Sequence, residues 1–347
     1  MKKSFGFMPD GREVYMIELN SGKLSARILT YGATIQSFCV PDKDGNIKDI
    51  VLGFDSLEDY IEQDKCFGCI VGRCTNRISN ASFKLNGIEY KLYKNSQGNS
   101  SHGGKIGFSK KIWDIDNISE NSVTLHLFSP DMEENYPGDL DIYVRYTLTE
   151  KSLRLEYNGH CNKDTIVNLT NHAYFNLEGH ESGDISNHLI SINADYFLRT
   201  DNKTVPDGTI VSVDGTPLDL RQLQPIGNNI DSDYDQIKWS KGFDRNWCIN
   251  GKLRDFNKAC ELIGPNSKIK LEMYTTQPGL QLYTGNYLGS DRKAKDGVTY
   301  VDRGGYALEA QGYPDAINHP NFPSVVLKAG EEYKEKTEYF VDIEKCK

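Results

Sequence analysis

DIYVRYTLTEKSLRLEYNGH, residues 141–160, is the stretch that decides the fold class. Ile142, Val144, Tyr146 and Leu148 alternate with Tyr143, Arg145 and Thr147. After a short TEKS reversal, Leu153, Leu155 and Tyr157 resume the same two-residue period. Successive side chains of an extended chain point to opposite faces, so this period marks a half-buried strand. Two such runs around a tight polar turn predict an antiparallel hairpin.

The same alternation spreads outward in both directions. It recurs in KLSARILTYGATIQSFCV (23–40), SVTLHLFS (122–129), HLISINADYFL (188–198), KIKLEMYTT (268–276) and GLQLYTGNYL (279–288). Between the runs lie PDKDGN, LNGIE, VPDGT, VDGTP and QPG, which carry the Gly, Pro and Asp that sharp reversals need. Only SLEDYIEQ (56–63) and PLDLRQL (217–223) read as short helices. No repeat, low-complexity linker or charge block divides the 347 residues. The expected architecture is therefore all-β, one large antiparallel sheet-on-sheet domain over residues 1–347, with two smaller β domains as the alternative.

Composition narrows the function. Forty Lys and Arg against 49 Asp and Glu leave a formal charge of −9. A diffusely acidic surface is poorly suited to phosphate backbones, so nucleic acid is not expected as a partner. The N-terminal MKKSFGFMPDGREVYM has no apolar run behind its lysines, and no segment approaches the ~18 apolar residues of a membrane span. The expectation is a cytoplasmic protein without membrane contact. Eight cysteines (39, 66, 69, 74, 161, 248, 260, 346) are too scattered for a disulfide scaffold. CFGC (66–69), with Cys74 nearby, admits a metal or redox reading; the plainer one is reduced, half-buried thiols, because no second CxxC supplies the usual four zinc ligands.

Chemistry-bearing residues fall in five stretches. In TIVNLTNHAYFNL (165–177), alternation puts Ile166, Asn168, Thr170, His172 and Tyr174 on one face, a polar face suited to lining a wet cleft. In YALEAQ (306–311), Glu309 sits inside an apolar strand, where a carboxylate needs a partner or a ligand. Asp244 in GFDRNW is either a site residue or an Asx-turn. His102 in NSSHGGKIGF precedes two glycines that permit a sharp turn. GRCTNRIS brings Asn76 and Arg77 together, the arginine offering fork-like donors. Imidazoles, carboxylates, amides and a guanidinium, with 20 Tyr, 14 Phe and 3 Trp, make the inventory of a carbohydrate pocket. GxGxxG, GxxxxGK[ST] and HExxH do not occur, so nucleotide and metalloprotease readings lack their motifs.

In combination, GRCTNRIS (72–79), SHGGKIGF (101–108), NLTNHAYFNL (168–177), VPDGTIVSVDGTPLDLR (205–221), GFDRNW (242–247), QPGLQLYTGN (277–286) and EAQGYPDAINHPNFPSVVLKAGEEY (309–333) resemble the aldose 1-epimerase (galactose mutarotase) family, in its order and over most of the chain. The resemblance implies a β-supersandwich and a cofactor-free enzyme, a monomer or homodimer, that interconverts the α and β anomers of free aldohexoses. It implies His172 as general acid and Glu309 as general base. It carries sugar binding to Asn76, Arg77, His102, Asp244 and Gln281, with Tyr174 as a pocket wall. Thr75, Ser101, Arg245 and Ala310 depart from the family's commoner residues, and the last two put sugar preference in question. A glycosidase using Asp244 and Glu309, a non-catalytic sugar sensor, and a phosphosugar epimerase drawing charge from Arg245 or Arg303 are the competing readings. For the epimerase reading, burial is expected to raise the pKa of Glu309 while neighbouring negative charge keeps the proton on His172.

Overall fold

In the computed structural model, which describes residues 1–344, the decisive hairpin forms as its alternation requires; Cys346 lies outside the described residues. Leu140–Leu148 pairs antiparallel with Ser152–Cys161 in unbroken register from Leu140↔Cys161 to Leu148↔Leu153. The reversal is held by Thr149, whose Oγ1 accepts hydrogen bonds from the backbone N–H of Lys151 and Ser152. Val144, Tyr146, Leu148, Leu153 and Leu155 are wholly buried, so the predicted apolar face is the inner one.

That hairpin lies within a nine-stranded sheet. Its order is Asp114–Ile118, Ser122–Ser129, Leu140–Leu148, Ser152–Cys161, Glu332–Ile343, Ile269–Thr275, Asn257–Ile263, Leu189–Ile192 and Gln224–Pro225. Facing it are a five-stranded N-terminal meander from Lys2 to Asp49 and a six-stranded sheet. Side chains of all three sheets meet in one core: Ile17 and Ile28 from the meander, Val144 and Leu155 from the large sheet, Trp247, Leu280 and Leu308 from the third. Each such aliphatic side chain stabilises the sandwich by roughly 1.5–3 kcal/mol on burial.

The six-stranded sheet positions the site. It runs Tyr174–Phe175, Tyr306–Gln311, Gly279–Tyr283, Asp244–Cys248, Tyr196–Thr200, Pro206–Ser212. Leu308, Ala310, Leu280, Leu282 and Trp247 point into the core. By the same period of two, Glu309, Gln281, Asn246 and Asp244 point to the sheet's other face, with Gln281 registered opposite Glu309 and Asn246 opposite Gln281.

Three local expectations are corrected. HLISINADYFL is not one strand: Leu189–Ile192 belongs to the nine-stranded sheet and Tyr196–Thr200 to the six-stranded one, so this segment crosses between layers. The helix over 56–63 exists as Leu57–Glu62, capped by Ser56 Oγ, which accepts from the Asp59 N–H. Residues 217–223 are not helical. The chain turns at 217–218, Leu218 and Leu220 are both buried, and Arg221 donates to the carboxylates of Asp219 and Asp195. The second α-helix is Asp235–Lys238 instead.

The third correction concerns TIVNLTNHAYFNL. In place of one strand with a wet polar face there are three fragments, Thr165–Ile166, Thr170–Asn171 and Tyr174–Phe175, each paired with a different strand. Every residue from 165 to 177 is buried. Asn168 spends its amide on Gly312, donating to that carbonyl and accepting from that N–H. The segment passes from one sheet to the next, so its backbone groups find successive partners and only part of its polar face reaches a cavity. No helix among the described residues is long and apolar enough to cross a membrane.

Candidate active site

A cavity of about 280 Å³ opens on the outer face of the six-stranded sheet, and His172, Tyr174, Asn76, Arg77, His102, Asp244 and Glu309 all line it. Seven of the eight predicted site residues, from five separate stretches of sequence, thus meet in one place. Gln281 is the eighth. It is buried just beneath, where its Nε2 donates to Asp244 Oδ1 at 2.6 Å, so it orients Asp244 and does not itself line the cavity.

At the floor, His172 Nε2 lies 3.5 Å from Glu309 Oε1. Main-chain bonds lock the imidazole in place: the His172 N–H donates to the Cys69 carbonyl (2.9 Å), and its own carbonyl accepts from the Gly68 N–H (3.0 Å). The ring rests 5.0 Å from that of Tyr174. Only 5% of His172 and 2% of Glu309 is exposed. Glu309 Oε2 and His172 Nδ1 have no hydrogen-bond partner among the described residues. Buried polar atoms are almost always paired, so an orphaned carboxylate oxygen on a residue that lines a cavity points to a ligand that completes it.

Burial pushes the Glu309 carboxyl up to about 8; Asp244 adds to the rise and Arg77 opposes it. Burial also lowers His172, an effect that the Cys66 thiol and Asp244 counter only in part. The expected rise of Glu309 is present. The expectation that nearby negative charge would keep the proton on His172 is overturned, because loss of solvation outweighs those charges at so enclosed a ring. When the pair holds one proton, the carboxyl is its preferred seat.

The rim forms a hydrogen-bonded arc. Asn76 Oδ1 accepts from the Arg77 N–H at 2.9 Å and from its guanidinium at 3.3 Å, and Arg77 NH2 stands 3.9 Å from Asp244 Oδ2. Asp244 opens the Asp244–Cys248 strand and is engaged with Gln281 and Arg77, not with its own backbone as an Asx-turn would have it. His102 follows the Ser100–Ser101 strand with φ of 51°, and its Nδ1 accepts from the Asn76 N–H at 3.4 Å. Burial first, then His172 and Arg77, holds His102 well below the usual histidine range. A neutral ring accepting at Nδ1 carries its proton on Nε2 and presents a donor.

The turn behind His102 explains the paired glycines. Gly103 has φ of +85°, and a Cβ there would stand 1.9 Å from the Gly72 carbonyl oxygen. Gly103→Ala is expected to destabilise the protein by about 1–3 kcal/mol and to displace His102, read as a lowered midpoint in thermal unfolding. An unchanged midpoint would mean that the turn relaxes freely.

Sequence reasoning did not single out Tyr283, Tyr287 or Trp239 and read Cys66 only as part of the CFGC stretch, yet all four line the cavity. Tyr283 was findable, since it lies two residues from Gln281 on the same strand face. Trp239 follows a four-residue helix and Tyr287 follows a strand end, and neither position carries a local signal. The two departures in doubt face away. Ala310 packs in the core, and Arg245, wholly buried on the core side of its strand, donates from NH1 to Ser240 Oγ at 2.9 Å. Arg303 pairs with Asp231. Neither arginine lines the cavity, which removes the cations on which a phosphosugar reading relied.

A family model described as aldose 1-epimerase matches residues 15–340. The galactose mutarotase of Bos taurus is 42% identical over 334 residues, which cover 96% of each chain, and that of Homo sapiens is 40% identical over the same length and coverage. The aldose 1-epimerase of Escherichia coli is 36% identical over 335 residues, 95% of this chain and 96% of its own. Among solved structures, an aldose epimerase homologue from C. elegans superposes with a TM-score of 0.87 at 29% identity, covering 94% of this chain and 98% of its own. The galactose 1-epimerase of Lactobacillus acidophilus gives 0.85 at 29% identity, covering 99% and 98%.

Proposed function

The chain belongs to the aldose 1-epimerase family, and from that premise we propose that it interconverts the α and β anomers of free aldohexoses such as galactose and glucose, with Glu309 and His172 moving the protons. The observation that carries this reading is the 3.5 Å approach of His172 Nε2 to Glu309 Oε1 at the floor of the cavity. The anomeric O1 and the ring oxygen O5 are bonded to one carbon, so two groups that close together are placed to serve both.

Opening the ring takes a proton from O1 and gives one to O5. The Glu309 carboxylate accepts the O1 proton, the C1–O5 bond breaks, and the His172 imidazolium protonates O5. Rotation about C1–C2 presents the other face of the aldehyde. Reclosure reverses both transfers and releases the opposite anomer. Ring opening thus converts ionised Glu309 and charged His172 into neutral Glu309 and neutral His172. That is the protonation state favoured by burial in the enclosed pair, so the open-chain complex is the one the site solvates least badly. Asp244, Arg77, Asn76 and His102 hold hydroxyls, and the rings of Tyr174 and Tyr283 cover C–H faces, which supplies the positioning contribution. The family match over residues 15–340 and the core shared by all three large sheets support treating the chain as one epimerase domain. A cytoplasmic place, a monosaccharide as substrate and a monomeric or homodimeric state complete the reading.

The pair titrates as a unit, active while it holds one proton. The expected kcat/KM profile is a bell. Its acid limb, where the pair gains a second proton, lies below the ordinary histidine value of 6.5, and its alkaline limb, where the last proton leaves, lies near 8. Flat activity through pH 8 and beyond would contradict the assignment of that limb to Glu309.

Polarimetry of freshly dissolved α-D-galactose and α-D-glucose, with and without protein, tests the activity. The expected result is approach to anomeric equilibrium faster in proportion to enzyme concentration; rates indistinguishable from buffer would end the reading.

A further inference from the structure

The mechanism leaves the CFGC turn without a role, yet the turn touches the site at both ends. Cys66 is half-buried and lines the cavity with His172 and Glu309. The Cys69 N–H donates to the Cys66 carbonyl at 3.3 Å, with Gly68 at φ +70° in the third position. This is a four-residue reverse turn, a geometry that holds its first and last Cα atoms within about 7 Å. A disulfide spans Cα atoms up to about 6.8 Å apart.

The two thiols are unequal in the way an attacking and a resolving thiol are. The Cys69 thiol donates to the Cys66 carbonyl at 3.2 Å; its proximity, with that of His172, brings the Cys66 thiol down to about 7, while burial raises Cys69 well above the usual thiol range. A partly exposed thiolate beside a buried protonated thiol is the arrangement that oxidants select.

The same turn holds the catalytic imidazole. Gly68 N–H and the Cys69 carbonyl make both main-chain bonds to His172, Asn171 Nδ2 donates to the Gly68 carbonyl at 2.7 Å, and the Phe67 ring packs 5.0 Å from that of Tyr174. A bond drawn across the turn therefore pulls on the backbone that aims His172. It also removes the Cys66 sulfur from the rim of the cavity.

We propose that Cys66 and Cys69 form a peroxide-responsive dithiol whose oxidation reversibly shuts the adjacent site. The Cys66 thiolate attacks a hydroperoxide; the O–O bond breaks, an S–O bond forms, and hydroxide or alkoxide leaves. Cys69 sulfur then attacks the sulfenic acid, forming the S–S bond and releasing water. Peroxide is the oxidant, reduced by two electrons, and a thiol reductant returns both cysteines to thiols.

The test is hydrogen peroxide treatment followed by peptide mapping of thiols and polarimetry with galactose, each variant normalised to its own untreated rate. The expected result for the wild-type chain is a Cys66–Cys69 disulfide, activity lowered at least about tenfold, recovery with dithiothreitol, and slower loss when galactose fills the cavity. Cys66→Ser is expected to resist peroxide, and Cys69→Ser to be inactivated by over-oxidation of Cys66 that dithiothreitol does not reverse. Both cysteines remaining free after peroxide has oxidised half-buried Cys39 would overturn the proposal, as would loss of activity in Cys66→Ser at the wild-type rate or a mapped disulfide with undiminished turnover. The activity readout rests on the epimerase reading. Were the untreated chain inactive on sugars, that reading would fail, while the thiol map would still decide whether the pair forms.

Discussion

Glu309→Gln is expected to lower kcat by about 10²–10⁴-fold and leave the fold intact. The amide keeps the shape of the carboxyl and can still hold a hydroxyl, so KM should move little, but it cannot accept the O1 proton. Stability should not suffer. The position is 2% exposed and the carboxyl there already prefers its neutral form, so a neutral isostere removes a charge that the fold solvates poorly. Polarimetric kcat together with thermal unfolding separates the two effects. Near-wild-type turnover would remove Glu309 from the chemistry, and loss of folding would show that the carboxyl is structural.

His172→Gln is expected to cost a similar factor, about 10²–10⁴ in kcat, for the complementary reason. Without the imidazolium, the ring oxygen must leave C1 as an alkoxide or wait for water. The hydrogen bonds fixing this position are made by its backbone to Gly68 and Cys69, so they survive the substitution. The double variant carries the sharper information. Groups that pass one proton between them fail together, so His172→Gln with Glu309→Gln should be about as slow as the slower single variant, not slower by the product of the two factors. Full multiplicativity, measured by the same assay, would mean that the two side chains act independently.

The sandwich was legible wherever one face of a strand is buried and the other is not, because alternation then records the face directly. Leu140–Leu148 and Ser152–Cys161 are of this kind. Tyr306–Gln311 is buried on both faces, and there the lone carboxylate among apolar neighbours, not an alternation of burial, marked Glu309. Reading failed where both faces are buried and the chain passes from sheet to sheet. Residues 165–177 show no usable alternation of burial, and their division into three fragments depends on which sheets lie alongside, a fact that no local pattern encodes. Residues 217–223 failed for a related reason: Asp219 and Arg221 satisfy each other locally, which stabilises a turn where periodicity suggested helix.

The site divides along the same line. His172, Glu309, Asp244 and His102 were visible as polar groups in places that needed a partner, and the family's motifs brought them together. Gln281's place beneath Asp244 follows from strand register, and Trp239 and Tyr287 enter through loops whose course is set by the whole fold. The protonation preference of the pair was the least accessible, because it turns on how completely the surrounding sheets and loops exclude water, and here that exclusion outweighs the nearby charges.

The most direct measurement is a crystal structure of the protein soaked with galactose. The account predicts one pyranose in the cavity on the six-stranded sheet, its ring oxygen within hydrogen-bond distance of His172 Nε2 and its anomeric hydroxyl within the same reach of Glu309. A sugar bound with its anomeric carbon turned away from that pair, or bound elsewhere on the surface, would contradict it.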